Sequence, residues 1–436
     1  MHHIEALEKR VDRFMRKLHM HGGDLEMEEV AKSFLSEMER GLTGAASSLR
    51  MIPTYVQVDG SIPIDEPVVV LDAGGTNFRV ATVRFRSDGL PAVERLAKHE
   101  MPGIKKPIGR KEFFNTIVSY MEPNVRDSAK IGFCFSYPTE ILPSRDGRLL
   151  RFCKEVKAPE VEGEMIGEGL NRALSAAGLG ARHVVLLNDT VATLLAGKSL
   201  STTRAYGGWV GFILGTGTNC AYIESNENVR KAPDLDPSAR QIINVESGSF
   251  GKMPRGKIDV ELDGQTTDPG QYTFEKMISG GYFGTLSSRI LEAASREGLF
   301  SDAHAQALLG LPPLETPAVS AYLRSPRNPA HPLVRTASED DLAIEWFLID
   351  RLLDRAAKLT AASLSSVVLK SGGGSDPSLP VCITADGTTF WELKGLKQRV
   401  DCHLRGFLTA VHKRYFEFVG VENATLIGAA IAGLTN

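Results

Sequence analysis

The clearest pattern along the chain is an apolar run, a short polar turn that contains glycines, and a second apolar run. In "VVVLDAGGTNFRVATVRF" (68–85), four apolar residues precede Asp72, and mostly apolar residues follow Asn77. This pattern predicts strands over 68–72 and 78–85 joined by a tight turn. Further strands are predicted over 93–101, 130–136 and 183–188, and helices over 111–122, 164–178 and 190–199. Strands that first follow one another and then alternate with helices indicate a mixed sheet covered by helices.

The pattern restarts in the second half of the chain. In "GGWVGFILGTGTNCAYIE" (207–224), an apolar strand again precedes a Gly/Thr turn and a second strand. The strands "RQIINVES", "PVCIT" and "FEFVGV" and the helices "LKQRVDCHLRGFLTAVHKRY" and "ATLIGAAIAGL" complete the repeat. The repetition implies a duplicated α/β unit with a cleft between the copies, and clefts of this kind bind ligands.

Length and composition narrow the possible functions. A chain of 436 residues is too long for one simple core, so two packed lobes are expected. The composition is 42% hydrophobic and 24% charged with a net charge of −3, which argues against a broad nucleic-acid or membrane surface. We therefore expect small molecules or other protein chains as partners.

The N-terminus and the cysteines favour a cytoplasmic protein. The first residues place apolar side chains at helical spacing among charges, which predicts an amphipathic helix and not a signal peptide. These apolar residues are Ile4, Leu7, Val11, Phe14 and Leu18. The five cysteines are scattered, with no CxxC pair, as expected for reduced thiols.

The paired glycine turns are candidate phosphate-binding sites. Glycines let backbone N–H groups approach a ligand closely, so a Gly/Thr turn can surround phosphate oxygens. One such turn, alone, is as consistent with an ordinary hairpin. Two matching turns at the start of two matching halves favour a grip on a polyphosphate from both sides. Neither turn is a Walker A loop or a dinucleotide-binding fingerprint.

Two carboxylates stand where predicted strands end. Asp72 follows a buried run, where a carboxylate needs hydrogen bonds or a cation, so it suits a water-mediated contact with Mg²⁺. It could equally cap its own turn. Asp189 lies at the junction of a strand and a helix, where it could be the helix N-cap or could accept a proton from an attacking hydroxyl.

A series of short stretches resembles the motifs of one family, in the family's order. These are "LDAGGTNFRV", "GFCFSYP", "LRFCKEVKAPEVEGE", "LLNDTVATLLAG", "GFILGTGTNCAYIE", "NVESGSFG", "FEKMISGGYFGTL" and "ADGTTFWEL". The chain resembles the hexokinase family, within the actin/Hsp70-like sugar kinase superfamily. The resemblance implies duplicated ribonuclease H-like (actin-like ATPase) domains of the α/β class, with two lobes around a cleft.

The resemblance also assigns residues to the sugar. Asp189 would be the general base that takes the proton from the 6-hydroxyl of the hexose, and Lys154 would contribute to catalysis beside it. The residues expected to contact the sugar are Ser136, Cys153, Lys154, Asn188, Asp189, Asn219, Glu246 and Thr285.

ATP and Mg²⁺ are the implied cofactors. One lobe would contact the nucleotide through Gly74, Gly75, Thr76, Asn77 and Arg79, with Asp72 facing the metal through water. The other lobe would contribute Gly215, Thr216, Gly217 and Thr218, with Gly387 and Thr388 near the adenosine.

Several positions depart from the family pattern, mainly around the sugar. Thr285 stands where the family has a glutamate that binds the sugar, Cys153 replaces a threonine, and Glu155 replaces a glycine. Ser247 replaces a tryptophan, and "NATLIGAAI" lacks glycines expected near the adenosine.

Three functions therefore stay open: a hexokinase for glucose or a related hexose, a kinase for a mannose- or hexosamine-like sugar, and a catalytically weak sugar sensor. We expect a monomer or homodimer. The predicted limits are an N-terminal helical segment on the large lobe (1–63), a small lobe (64–188), a large lobe (189–420) and a helix that returns to the small lobe (421–436).

Overall fold

The computed structural model describes residues 2–152, 156–202 and 204–436. Its strands are β1 (Ile52–Gln57), β2 (Val68–Gly74), β3 (Asn77–Phe85), β4 (Pro91–Glu100), β5 (Lys130–Phe135), β6 (Thr139–Ile141), β7 (Gly147–Leu149), β8 (His183–Leu187), β9 (Gly208–Leu214), β10 (Thr218–Ser225), β11 (Arg240–Asn244), β12 (Val381–Asp386) and β13 (Phe416–Val419).

The helices cover both sheets and fill the space between them. They are α1 (His2–Lys17), α2 (Met27–Thr43), α3 (Arg110–Met121), α4 (Ile166–Ala176), α5 (Asp189–Lys198), α6 (Lys257–Asp263), α7 (Glu275–Ile278), α8 (Phe283–Arg296), α9 (Asp302–Leu309), α10 (Thr316–Arg324), α11 (Glu339–Ser371), α12 (Thr388–Glu392), α13 (Leu396–Leu404) and α14 (Ala424–Thr435).

The two large sheets share one topology. The five-stranded sheet has the order β4-β3-β2-β5-β8, in which β2, β3 and β4 pair antiparallel while β5 and β8 add in parallel. The second sheet contains β11-β10-β9-β12-β13 with the same directions, and β1 joins its edge next to β11. This correspondence confirms the predicted duplicated α/β unit.

Helices α5 and α14 lie between the sheets and connect them. α5 packs on strands of the six-stranded sheet, α14 packs on the five-stranded sheet, and the two helices contact each other. A Cβ atom on Gly428 would lie only 1.8 Å from the carbonyl oxygen of Ala192, so this approach requires a glycine. The two halves therefore meet through a close backbone contact.

The outer faces carry the remaining helices. α3 and α4 cover the five-stranded sheet with an apolar cluster that includes Phe113 and Leu170. The 33-residue helix α11 packs on β9 and β10 of the second sheet and contacts α1, α2 and α13. Across the described residues, none of the helices combines the length and apolar character that a bilayer crossing needs.

Several local predictions were wrong. Strand β1 and the β6–β7 hairpin were missed, because they are short and lack strict alternation. The helix predicted over 396–415 ends its α-helical part at Leu404 and continues as a π-helical turn over Arg405–Thr409. In α1, Ile4 is exposed although Leu7, Val11 and Phe14 are buried as expected. The predicted lobe limits stay predictions.

Candidate active site

The first glycine turn joins β2 to β3, and its carbonyl groups are bound by the protein. The Tyr137 hydroxyl donates to the carbonyl oxygen of Gly75 (2.6 Å), and the Met101 N–H donates to that of Thr76 (2.9 Å). Gly75 has a left-handed backbone (φ 64°), and Gly74 pairs with Asn77 across the hairpin. Within the described residues, the N–H groups of Gly75 and Thr76 donate to no protein acceptor. The turn therefore offers donors to an anion.

The second turn, between β9 and β10, has the same property. The carbonyl oxygen of Gly215 accepts from the Gly280 N–H and the Thr389 hydroxyl (both 2.8 Å). That of Thr216 accepts from the Gly281 N–H (3.0 Å). In the part of the chain that the structure describes, the N–H groups of Thr216 and Gly217 have no protein acceptor. Both halves thus present backbone donors at equivalent positions.

Asp72 is buried beside the first turn and paired with a cation. It faces Arg79 across the β2–β3 ladder, and its Oδ2 accepts from Arg79 Nε (2.9 Å), from a second nitrogen of the same guanidinium and from the Thr425 hydroxyl (3.0 Å). Arg79 also donates to Asn423 Oδ1 (3.3 Å). The pair ties the first turn to the start of α14. The predicted contact of Arg79 with the nucleotide stays a prediction.

The start of α5 settles which residue caps the helix. Asn188 is the N-cap, and its Oδ1 accepts from the Val191 N–H (2.9 Å). Asp189 is the first helical residue and half-buried, and its Oδ1 accepts from the Thr190 N–H (2.7 Å). The helix N-terminus favours a negative charge at this position. The alternative that Asp189 is simply the N-cap is therefore wrong.

A polar network brings Asn219 and Glu246 together. Asn219 Nδ2 donates to Asn244 Oδ1 (2.8 Å), and Asn244 Nδ2 donates to Glu246 Oε1 (2.9 Å). The N–H of the buried Ser247 donates to Asn219 Oδ1 (3.2 Å). Glu246 has a left-handed backbone (φ 59°), and its side chain folds back to Asn244 at the end of β11. Asn244 was missed, although it begins the quoted segment "NVESGSFG".

Two further residues predicted to contact the sugar, Ser136 and Thr285, lie within the described residues. The Ser136 N–H donates to the carbonyl oxygen of Ala73 (3.0 Å), which places Ser136 beside the end of β2. Thr285 is half-buried near the start of α8, and its hydroxyl has no hydrogen bond to the described residues. Cys153 and Lys154 lie outside the described residues, as does the neighbouring Glu155.

A hollow of about 370 Å³ lies beside the second turn. Thr216, Gly280 and Thr388 line it, together with Thr316 and Ser320 of α10. The preceding Gly387 has a φ of 112°, and a Cβ there would lie 2.3 Å from the carbonyl oxygen of Leu214. The lining by α10 was missed, because its sequence carries no recognisable binding signal.

Comparisons with known proteins identify the family. Two family models described as hexokinase match residues 10–199 and 209–435. Hexokinase-1 of Oryza sativa subsp. japonica is 32% identical over 87% of this chain and 82% of its own length. Hexokinase-1 of Saccharomyces cerevisiae is 28% identical over 93% of this chain and 88% of its own length.

Solved structures confirm the fold. The Schistosoma mansoni hexokinase complexed with glucose has a TM-score of 0.78 and 25% identity, and the match covers 99% of each chain. A second hexokinase structure has a TM-score of 0.77 at 22% identity. The predicted actin-like, two-lobed architecture is therefore confirmed, and the chain belongs to the hexokinase family, whose members are sugar kinases.

Proposed function

We propose that the protein transfers the γ-phosphoryl group of ATP to the 6-hydroxyl of glucose or a related hexose, with Asp189 as the general base. One observation carries the proposal. Two hairpin turns, at equivalent places in two sheets, have their carbonyl oxygens bound by protein donors and their N–H groups unpaired among the described residues. Helix α5, which begins at Asp189, lies between those sheets.

The turns suit phosphoryl transfer, which depends on positioning and on neutralising negative charge rather than on covalent help from the protein. Gly74 to Asn77 would contact the β- and γ-phosphates from one lobe, and Gly215 to Thr218 from the other. The adenosine would occupy the hollow beside Thr216 and Thr388. Of the two residues predicted near the adenosine, Thr388 lines this hollow and Gly387 directly precedes it in the chain.

The residues present fit Mg²⁺ bound largely through phosphate and water. Among residues 2–152, 156–202 and 204–436, no cluster of three or more His, Cys, Asp or Glu could hold a metal by itself. Mg²⁺ is commonly held by one or two carboxylates together with substrate phosphates. Asp72 Oδ2 is shared by Arg79 and Thr425, which leaves Oδ1 for a metal-bound water. The ion would neutralise charge on the phosphates.

Asp189 would accept the proton as the sugar oxygen attacks. The new bond joins the hexose O6 to the γ-phosphorus, the bond from that phosphorus to the bridging oxygen breaks, and ADP leaves. The helix N-terminus would interact favourably with the negative charge of the Asp189 carboxylate. Closing the lobes over the sugar would exclude water, which otherwise competes as the acceptor. The family resemblance assigns Lys154 a further contribution to catalysis.

The sugar would be held by Asn188, Asn219 and Glu246, with Ser136 from the small lobe. Thr285 favours a second candidate, a kinase for a mannose- or hexosamine-like sugar. Loss of one charged hydrogen-bond acceptor costs roughly 1.5–3 kcal/mol, which is about a ten- to hundredfold change in affinity. Such a loss would retune sugar binding and leave the phosphoryl chemistry in place.

A coupled ADP-release assay over a panel of hexoses tests these candidates. Asp189→Asn is compared with Asp234→Asn, the same change at an exposed loop position. We expect turnover that Asp189→Asn abolishes and Asp234→Asn preserves. Preference for a sugar other than glucose would select the second candidate. Saturable sugar binding without turnover on any hexose would contradict the kinase and indicate a sensor.

A further inference from the structure

Glu275 is a half-buried carboxylate for which neither the sequence motifs nor the proposed mechanism supplies a role. It begins α7, and its Oε2 accepts a hydrogen bond from the backbone N–H of Thr218 (2.9 Å). Thr218 closes the second phosphate turn. The same segment supplies the Gly280 and Gly281 N–H groups that bind the carbonyl oxygens of this turn.

Two glycines leave the space that the Glu275 carboxylate fills. A Cβ on Gly217 would lie 2.5 Å from Oε2, and the three nearest heavy atoms all belong to Glu275. A Cβ on Gly248 would lie 3.2 Å from Oε2 and 2.9 Å from the carbonyl oxygen of Thr218. Neither glycine has a positive φ, so space and not backbone conformation requires them. The carboxylate therefore lies between the phosphate turn and the loop that follows Glu246.

We propose that Glu275 is a positioning residue that fixes the second phosphate turn relative to the sugar-binding loop of Glu246. The proposal rests on the proposed function, because it assigns the turn to phosphate and the loop to sugar. Through the Thr218 hydrogen bond and the contact with Gly248, Glu275 sets the distance between the donor phosphate and the acceptor hydroxyl. A shift of the turn misaligns the two reactants.

The charge of Glu275 gives a readout that a purely structural role lacks. Burial is the main reason that the pKa of Glu275 is raised to about 7, and the Glu246 and Asp268 carboxylates contribute to this rise. The hydrogen bond from the Thr218 N–H acts in the opposite direction and lowers the pKa. Lys276 opposes the rise, and Tyr282 also faces Glu275. Above pH 7 the ionised carboxylate places a negative charge behind the turn, which disfavours ATP. Below pH 7 that charge is lost and the acceptor oxygen remains.

The experiment compares wild type, Glu275→Gln and Glu275→Ala in steady-state kinetics and in calorimetric ATP binding. Glu275→Ala removes the acceptor, so KM and Kd for ATP rise about tenfold and kcat falls. Hexose affinity without ATP stays within about twofold, because Asn219 and Asn244 still hold Glu246. Glu275→Gln keeps the acceptor and matches wild type at pH 6.

The pH series isolates the charge. In wild type, KM for ATP rises about threefold or more between pH 6 and pH 8, whereas Glu275→Gln shows only the titration of ATP itself. Parallel pH profiles for the two proteins contradict the proposal. So does an unchanged ATP affinity in Glu275→Ala.

A double-mutant cycle tests the contact directly. Gly217→Ala collides with Glu275 in the wild-type background and has room in the Glu275→Ala background, so its effect on ATP affinity shrinks there. Strictly additive effects overturn the positioning role. Wild-type protein that phosphorylates no hexose would refute the proposed function, and ATP binding would still test Glu275 separately.

Discussion

The two proposed phosphate turns have the same unpaired N–H donors, among the described residues, but different supports. Two residues distant from each other in the chain hold the first turn, through the Tyr137 hydroxyl and the Met101 N–H. A separate segment that runs from Glu275 to Gly281 holds the second, together with Thr389. Tyr137, which supports the first turn, directly follows the predicted sugar residue Ser136 in the chain. Glu275, which supports the second turn, contacts Gly248 in the loop after Glu246. Each turn is thus linked to a different side of the proposed sugar site.

The two halves share the N–H donors of their turns and differ in the groups that bind the turn carbonyl oxygens. Equivalent hairpins keep the same backbone chemistry, because a hairpin with bound carbonyl groups offers N–H donors whatever binds those groups. The supports could diverge, since any donor satisfies a carbonyl oxygen. We therefore expect the shared chemistry at Asp189 to be far more sensitive to mutation than either support.

The largest effect should come from Asp189→Asn. Removing the proposed general base lowers kcat by about 10²- to 10⁴-fold. ATP binding changes little, because both turns that would bind the phosphates keep their N–H donors. Single-turnover kinetics and ATP calorimetry measure the two quantities. Exposed Asp234→Asn is the control. Turnover retained in Asp189→Asn would show that Asp189 is not the general base of the reaction that the two turns would share.

Thr285→Glu should give the next largest effect. Restoring the family's charged acceptor should lower KM for glucose by about an order of magnitude and leave KM for ATP unchanged. Thr285→Gln, which adds a neutral amide of similar size, serves as the control for charge. An unchanged KM for glucose would show that position 285 is not a sugar ligand.

Tyr137→Phe should produce a smaller effect, confined to the first turn. It removes the hydroxyl that binds the carbonyl oxygen of Gly75 and keeps the buried ring. A net hydrogen bond contributes about 0.5–1.5 kcal/mol, so KM for ATP should rise about three- to tenfold. Equal affinity for ATP in the two proteins would mean that this hydroxyl does not support the turn.

Thr389→Val should have the smallest effect. The carbonyl oxygen of Gly215 keeps its bond from the Gly280 N–H after the Thr389 hydroxyl is lost. KM for ATP should therefore rise by less than about threefold. Measuring Tyr137→Phe and Thr389→Val side by side sharpens the comparison, because the reverse order of effects would show that the second turn depends more on side chains.

Much of the site could be predicted because it lies at strand ends with local signals. The turns at Gly74 and Gly215 have strand patterns on both sides, and Asp189 follows a buried strand at a helix start. Asn244 and Glu275 were missed although both lie in quoted motifs. Their roles depend on partners far away in the chain, such as Thr218 for Glu275, and spacing alone does not reveal such partners.

Periodicity and turn residues by themselves determined the duplicated α/β unit, the two glycine turns and the position of Asp189, because these features depend on neighbours a few residues apart. The ordered family motifs added the class of reaction. Only the tertiary structure decided that Asn188 caps α5, that Arg79 pairs with Asp72 and that Glu275 lies between Gly217 and Gly248. Buried polar groups must find partners wherever the fold brings them, and those partners are set by packing rather than by sequence distance.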